Sequence, residues 1–299
     1  MTSLHPYASA AYAAAFAPLE PVWLPHAATH VLKRLIPGTE HHDAMGCYPL
    51  CVMRADSGIK EDFEILKRHG CVTLVAVTDC LSQPDEAFLS AHFDRCRRYK
   101  THYVHDARLA NADYSKHHRD RIRRARKSCE TRVVNLADHL DAWMECYTTL
   151  VKKKNITGIQ NFPREYFAAV AAMPEAVTIA AFVDGVFASG HIWMRHEGLA
   201  YAHLAASTEL GYKLRCAFPI YDDAIQMLKA DHIIDFGGGA GAEESEADGL
   251  RDFKKGFANA EKRNFLCGKI LNAELYQSLC NVRGVDPDAA FFPAYRSAG

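Results

Sequence analysis

Residues 176–208 read AVTIAAFVDGVFASGHIWMRHEGLAYAHLAAST and carry the most legible structural pattern in the chain. Runs of apolar and β-branched residues are separated by DG at 184–185, which is typical of a two-residue hairpin turn. HEG at 196–198 suits a three-residue hairpin loop with glycine in the left-handed position. The stretch therefore predicts three consecutive antiparallel strands.

The loop lengths also predict which side chains of these strands lie together, because the loop fixes the register and the register fixes the faces. A three-residue loop places His191 opposite His203 and Trp193 opposite Tyr201. Two histidines and two polar-tipped aromatics on one patch indicate the wall of a cleft. Ordinary packing of strand residues is the alternative explanation.

The composition of the chain narrows its class. It has 299 residues, 49% apolar and 24% charged, with a formal net charge of −1, as in ordinary globular proteins. Any attraction to a polyanion must therefore be local, and we expect no DNA partner. No run of about 18 apolar residues is present, so no integral membrane association is expected.

The cysteines indicate a reduced protein. Ten cysteines are scattered without a C-x-x-C pair, and no secretory signal is visible, so we expect free thiols and a cytoplasmic location. The segment HHDAMGCYPLC at 41–51 contains two histidines and two cysteines, but their spacing fits no standard zinc pattern. We therefore predict no metal site.

The first third of the chain alternates helix-like and strand-like runs, which predicts a mixed α/β domain over residues 1–108 and a second domain over 109–299. In this first part the spacing predicts helices at 25–36, 59–70 and 85–100, and strands at 47–53 and 71–77.

The segment SKHHRDRIRRARK at 115–127 carries seven Lys/Arg residues against one Asp and reads as a helix. Such a run contacts nucleotide or tRNA phosphates, or is simply a solvated helix face. The candidate phosphate-binding residues are Arg119, Arg121, Arg123, Arg124 and Lys127.

A glycine-rich stretch at 235–257, DFGGGAGAEESEADGLRDFKKGF, follows an apolar strand and raises the question of a phosphate cradle. It matches neither G-x-G-x-x-G nor a P-loop. Four acids crowd the start of the next helix and repel an anion there: Glu243, Glu244, Glu246 and Asp248. We conclude that these glycines allow close backbone approach instead, and that Lys254 borders the buried stripe of the helix.

Several of these segments together resemble the GNAT acyltransferases, and more narrowly the second domain of the FemAB family. The residues that carry the resemblance are HRDRIRRARK, YAHLAAST, FPIYDDAIQML, IIDFGGG and DGLRDFKKGF, in that order. The resemblance implies two tandem GNAT-like α/β domains, each a mostly antiparallel mixed sheet flanked by helices. It also implies transfer of an acyl or aminoacyl group to an amine of a small molecule or peptide.

The resemblance implies a donor that is not permanently bound. FemAB members take the group from aminoacyl-tRNA, whereas other GNAT enzymes use acyl-CoA and usually show R/Q-x-x-G-x-G/A after the fourth strand. Here that place reads STELGYKLRCA, where only Gly211 fits. We therefore favour aminoacyl-tRNA. Acyl-CoA is the alternative, and a non-catalytic tRNA- or partner-binding protein with a degenerate GNAT fold is a further one.

Roles follow from the chemistry that the resemblance implies. Lys254 is expected to stabilise the oxyanion, with His203, or alternatively His191, accepting the proton of the amine. Tyr201 orients the substrate or protonates the leaving group. The remaining predicted substrate-binding residues are Asp235, which would hold the ammonium, together with Trp193, Tyr212 and Ser207.

Overall fold

A computed structural model describes residues 3–82, 84–109, 114–230, 232–239 and 249–297. The chain divides into two compact units, Met1–Tyr99 with Arg263–Gly299, and Lys100–Lys262. In this division the last part of the chain groups with the N-terminal residues, and the domain boundary after residue 108 stays a prediction.

The strands are β1 (Glu20–Leu24), β2 (Thr29–Leu35), β3 (His42–Gly46), β4 (Cys71–Val77), β5 (Arg95–His105), β6 (Glu130–Val134), β7 (Ala176–Val183), β8 (Val186–His196), β9 (Leu199–Ser207), β10 (Ile233–Asp235) and β11 (Ala260–Ile270). The helices are α1 (Ala10–Ala14), α2 (Ile59–Arg68), α3 (Glu86–His92), α4 (Lys116–Ala125), α5 (Leu140–Lys154), α6 (Arg164–Ala171), α7 (Glu209–Leu214), α8 (Ala217–Leu228), α9 (Gly249–Lys255) and α10 (Ala273–Val282). No helix of the described residues is long and apolar enough to cross a membrane.

The sheet of the first unit has the order β1-β2-β3-β4-β11. β1, β2 and β3 form an antiparallel meander, while β3 and β4 are parallel and joined through α2. The C-terminal segment joins this unit through Asp43, a fully buried carboxylate that accepts hydrogen bonds from Arg34 Nε (2.7 Å), Arg296 Nε (2.6 Å) and the Tyr295 hydroxyl (3.0 Å). A buried carboxylate needs such partners, which explains why the chain end belongs here.

Two predictions for the first unit are wrong, one holds only for its first half, and two are confirmed. Residues 25–36 contain β2 and no helix, since β2 pairs with β1 on one side and β3 on the other. Residues 47–53 form no regular strand, and the helix predicted at 85–100 ends at His92, after which β5 begins. The helix at 59–70 and the strand at 71–77 are confirmed as α2 and β4.

The sheet of the second unit has the order β5-β10-β9-β8-β7-β6. Only β9 and β10 are parallel; the other neighbouring pairs are antiparallel. α5 contacts β8 and β9, and α8 contacts β7, β8, β9 and β10. The predicted mixed α/β architecture, a mostly antiparallel sheet with flanking helices, is confirmed.

Both hairpins form, but the second has a shorter loop than predicted. Asp184 (φ 50°) and Gly185 (φ 79°) make the expected two-residue turn, and Val183 pairs with Val186. In the second hairpin the two loop residues are Glu197 and Gly198, both with positive φ, and His196 pairs with Leu199. The three-residue loop predicted at 196–198 is therefore wrong.

Because of this shorter loop and a β-bulge, the four residues of the predicted patch do not lie together. Trp193 pairs with Ala202, and Tyr201 pairs with Met194. Paired residues share a face and adjacent residues do not, so Trp193 and Tyr201 lie on opposite faces. The bulge at His203 then shifts the register by one more residue, and His191 pairs with Ala205 instead of His203.

Candidate active site

In the second unit the pairing between its two parallel strands, β9 and β10, stops before β9 ends, and the point where the pairing stops is called the notch below. β10 pairs with β9 only from Ile233↔Leu199 to Asp235↔Tyr201. β9 then runs on to Ser207, whereas β10 ends at Asp235, and Gly237, two residues later, has φ +76°. The carboxyl ends of diverging parallel strands are a common place for ligands.

Lys254, on α9, reaches the backbone beyond β10. Its ammonium donates a hydrogen bond to the Gly238 carbonyl over 2.6 Å, and its side chain is half-buried. The same charge acts on His191 and Asp235. The fold therefore places the Lys254 ammonium beside the backbone that follows β10, and the oxyanion role expected for Lys254 stays a prediction.

α9 is held in place by His118, a residue that sequence reasoning did not single out. The buried imidazole donates from Nε2 to the Phe253 carbonyl over 2.8 Å, and its Nδ1 lies 3.0 Å from the Ser115 hydroxyl. Phe257 packs edge-on against the same ring, with the centroids 4.7 Å apart. α4 thereby fixes the backbone next to Lys254.

His191 and Trp193 lie on the face of the sheet covered by α8. Their ring centroids are 4.2 Å apart, and Tyr221 of α8 lies 4.8 Å from His191. The exposed fraction is 2% for His191 and 0% for Trp193. Within the described residues, His191 Nδ1 and Trp193 Nε1 have no hydrogen-bond partner, which is uncommon for buried nitrogens.

Burial, together with the Lys254 and His203 neighbours, lowers the pKa of His191 well below its ordinary value. The imidazole is therefore neutral at neutral pH. A neutral ring with an unpartnered nitrogen, beside an indole N–H, can exchange hydrogen bonds with a ligand that carries both a donor and an acceptor.

Asp235 is buried and already engaged. Its Oδ2 lies 2.8 Å from His102 Nδ1, and its Oδ1 accepts the Gly237 N–H over 2.7 Å. Burial alone would raise the pKa of Asp235, but His102, this backbone N–H and Lys254 hold it below the usual range. A substrate ammonium would thus meet a carboxylate whose two oxygens are already hydrogen-bonded. His102 was not predicted, since an alternating strand gives no signal for it.

His203 and Tyr201 are also buried, on the other face. His203 Nε2 lies 2.8 Å from the Tyr166 hydroxyl of α6, and burial lowers the pKa of His203 to about 3. Such a ring is a weak proton acceptor at neutral pH. Of the four predicted catalytic residues, the fold brings His191 near Lys254, while His203 and Tyr201 lie on the other side of the sheet.

Residues 116–255 match a family model described as an acetyltransferase (GNAT) domain. This part of the chain belongs to the GNAT family. The match begins at α4 and ends with α9, so it contains the notch between β9 and β10 and the four predicted catalytic residues, whereas His102, Ser115 and Phe257 lie outside it.

Solved structures resemble the protein over most of its length. FemX has 13% identity and a TM-score of 0.62, over 83% of this chain and 86% of FemX. The C-terminal domain of a putative lysylphosphatidylglycerol synthetase from Agrobacterium fabrum has 12% identity and a TM-score of 0.62, over 92% of this chain and 91% of that one. No curated protein matches the sequence. The chain thus has the GNAT acyltransferase fold, with Fem-like neighbours.

Ser207 and Tyr212 lie near the start of α7 in this GNAT domain. The Ser207 hydroxyl is 2.7 Å from that of Ser189, and the Lys153 ammonium lies 4.2 Å above the Tyr212 ring. Gly211 has a packing role, because a Cβ there would lie 2.1 Å from the Ala188 carbonyl oxygen. Close packing against the Ala188 backbone therefore explains a glycine at this place without a CoA-binding role.

The predicted basic helix is confirmed as α4, and much of its charge faces solvent. Arg119, Arg123, Arg124 and Lys127 are exposed, while Arg121 is half-buried. Arg123 pairs with Asp120, an ordinary surface contact. Arg124 and Lys127 form no ion pair with any residue that the structure describes. The predicted acids at 243–248 lie outside the described residues.

Proposed function

We propose that the protein is an N-acyltransferase that moves an aminoacyl group from aminoacyl-tRNA to an amine of a small molecule or peptide. The observation that supports this most is the position of the Lys254 ammonium. It lies at the end of β10, 2.6 Å from the Gly238 carbonyl, with its charge acting on His191. A fixed cation beside a notch in a GNAT fold suits a reaction that passes through an oxyanion.

In the proposed reaction, the neutral amine attacks the carbonyl carbon of the aminoacyl ester and forms a C–N bond. The carbonyl oxygen becomes an oxyanion, which the Lys254 ammonium stabilises. The C–O bond to the ribose then breaks, the amine loses one proton, and the departing ribose oxygen gains one. His191 Nδ1 accepts a hydrogen bond from the attacking amine, and Trp193 Nε1–H donates one to the substrate.

For the hydrogen bond that the attacking amine donates, we prefer His191 to His203 as the acceptor. His203 Nε2 is already engaged with the Tyr166 hydroxyl, whereas His191 Nδ1 has no partner in the described part of the chain. His191 also lies on the same face as Trp193, and the Lys254 charge contributes to the lowered pKa of His191. Both histidines are neutral, so the choice between them rests on geometry.

The start of α7 supports a donor other than CoA. Thr208 caps this helix by accepting the Gly211 N–H over 3.1 Å, which removes one amide from any anion. The carboxylate of Glu209 adds a negative charge in the first turn. A pyrophosphate at this helix end would meet both obstacles. The exposed cations of α4 favour a polyanionic donor instead.

Acyl-CoA remains the second candidate donor, because the matching family model is described as an acetyltransferase. The name of one neighbour, lysylphosphatidylglycerol synthetase, points to an aminoacyl product of that protein and agrees with our first choice.

The test uses purified full-length protein, tRNA charged with labelled amino acids, and a panel of amines. Lys254→Met should lower kcat by about 10²–10³-fold, the usual cost of losing an oxyanion donor, with little change in donor binding. Lys255→Met is the matched control, since Lys255 is exposed on the same helix and pairs with Glu261. An equal loss in both variants would contradict the role of Lys254.

The donor is tested by salt and by competition. Turnover with charged tRNA should fall steeply between 50 and 200 mM salt, because phosphate contacts release counterions. Saturable turnover with acetyl-CoA and a flat salt response would overturn the tRNA donor. Binding of charged tRNA without turnover for any amine would support the non-catalytic alternative.

A further inference from the structure

A cavity in the second unit lies near the C-terminal end of α8. Its volume is about 470 Å³, within the range of small-molecule sites. The lining includes a buried imidazole, a phenol, an amide and two cations, contributed by β5, α4, α8 and the residues next to them: His105, Tyr114, Arg119, Ile225, Gln226 and Lys229.

The imidazole of His105 is the group in this cavity that most indicates a ligand. The residue is 1% exposed, and its Nδ1–H donates to the Phe257 carbonyl over 3.2 Å. That bond fixes the tautomer, so Nε2 carries a lone pair. Among the described residues, Nε2 has no hydrogen-bond partner. A buried acceptor without a partner costs free energy unless a ligand or water supplies an N–H or O–H.

The charged side chains of the described lining have one sign, while the Asp222 carboxylate acts on the lining residue Tyr114. Lys229 and Arg119 are cationic, and none of the described lining residues is a carboxylate. The Lys229 ammonium is held 2.7 Å from the Gln226 side-chain oxygen, and Arg119 donates to the Tyr114 carbonyl. After burial, the Lys229 charge is a further cause of the lowered pKa of His105, while the Asp106 charge acts in the opposite direction.

We propose that this cavity binds a phosphorylated sugar, with a sugar hydroxyl donating to His105 Nε2 and the phosphate lying between Lys229 and Arg119. A hydroxyl satisfies the acceptor, and a phosphate satisfies two cations that have no carboxylate beside them in the described lining. A free sugar phosphate and a nucleotide share this chemistry. The site does not depend on the acyl donor or on Lys254.

The experiment is calorimetric titration of the full chain at low salt with ribose 5-phosphate, AMP and adenosine. Binding of both phosphorylated probes and none of adenosine is the expected result. Equal affinities would identify a sugar-phosphate site, whereas tighter binding of AMP would identify a nucleotide site. Failure of both phosphorylated probes to bind at millimolar concentration would overturn the proposal.

Two variants locate the binding. His105→Asn keeps an amide near the position of Nδ1 for the Phe257 carbonyl but loses the Nε2 acceptor, and should weaken AMP binding about 10-fold. Lys229→Met, at an exposed position, should weaken it by a similar factor and flatten its salt dependence. Lys213→Met is the control for a general loss of positive charge. Unchanged affinity in both His105→Asn and Lys229→Met would also overturn the site.

These titrations need no turnover, so their failure is distinguishable from failure of the proposed reaction. Thermal unfolding of each variant checks that it folds. If His105→Asn unfolds, Lys229→Met still decides the outcome, because its side chain lies at the surface.

Discussion

The two faces of the β8–β9 hairpin hold similar residues in different chemical states. On the α8 face, His191 has an unpartnered Nδ1 and feels the charge of Lys254. On the other face, His203 is bonded to the Tyr166 hydroxyl, and burial lowers its pKa to about 3. Both rings are buried and neutral. The contrast shows that the partner of a histidine, more than its burial, separates a candidate reactive group from a structural one.

The largest expected effect is on the free energy of unfolding, and it tests how α5 packs on its face of β8. A Cβ on Gly190 would lie 2.8 Å from Phe187 and 3.1 Å from Trp143 of α5. Gly190→Leu should therefore destabilise the fold by about 3 kcal/mol through overpacking. Urea unfolding measures this, with Val186→Leu as the exposed control on the same strand. A loss below about 1 kcal/mol would mean that α5 packs more loosely than described.

The second effect is a pH dependence of stability that comes from His203. Its folded-state pKa, about 3, lies below the ordinary value of 6.5, so the unfolded state binds more protons between these values. Stability must therefore fall as the pH drops below about 6.5. His203 alone should contribute about 2 kcal/mol of loss between pH 7 and pH 5.

The measurement is urea unfolding at both pH values for the wild type and His203→Gln, whose amide nitrogen can still reach the Tyr166 hydroxyl. The variant should show a difference between pH 7 and pH 5 that is smaller by about 2 kcal/mol. Identical differences would mean that His203 is protonated in the folded protein.

The third effect concerns the bond between His203 and Tyr166. Removing the Tyr166 hydroxyl leaves a buried nitrogen without this partner, so Tyr166→Phe should cost about 1–2 kcal/mol. His203→Phe should cost a similar amount for the same reason. The double variant should cost less than the sum, because neither partner is then left alone. Strict additivity would show that the two side chains do not interact.

The smallest effect on stability is expected for His191, on the face of the hairpin that α8 covers. His191→Phe removes no Nδ1 hydrogen bond within the described residues and keeps an aromatic ring against Tyr221. The free energy of unfolding should change by less than about 1 kcal/mol, while acyl transfer should fall. A stability loss as large as that of His203→Phe would remove the distinction between the faces.

Much of the fold was predictable because its signals are local. The DG turn gave the first hairpin in the right register, and the apolar spacing of 59–77 gave α2 and β4. The helix predicted at 25–36 failed because its residues fit both periods, and pairing with β1 and β3 decided between them. The helix predicted at 85–100 failed in its second half for the same reason, because pairing with neighbouring strands makes this part β5.

The site was predictable only in part. Lys254 was singled out in the segment DGLRDFKKGF, which follows a glycine-ended strand, and the structure places its ammonium at the Gly238 carbonyl. The grouping of His191 with His203 failed because one loop is a residue shorter and β9 carries a bulge. His102, His118 and His105 gave no signal, because their partners, Asp235, Phe253 and Phe257, lie more than a hundred residues away in sequence.

By itself, the sequence determined the mixed α/β class, the three-strand hairpin unit, the basic helix α4 and the lysine that follows the glycine-ended strand. Each of these depends on spacing within a few turns or a few strand residues. The tertiary structure alone decided which histidines are satisfied and which are not, and to which unit the chain end belongs. The reason is physical: a buried polar group is defined by the partner opposite it, and that partner comes from elsewhere in the chain.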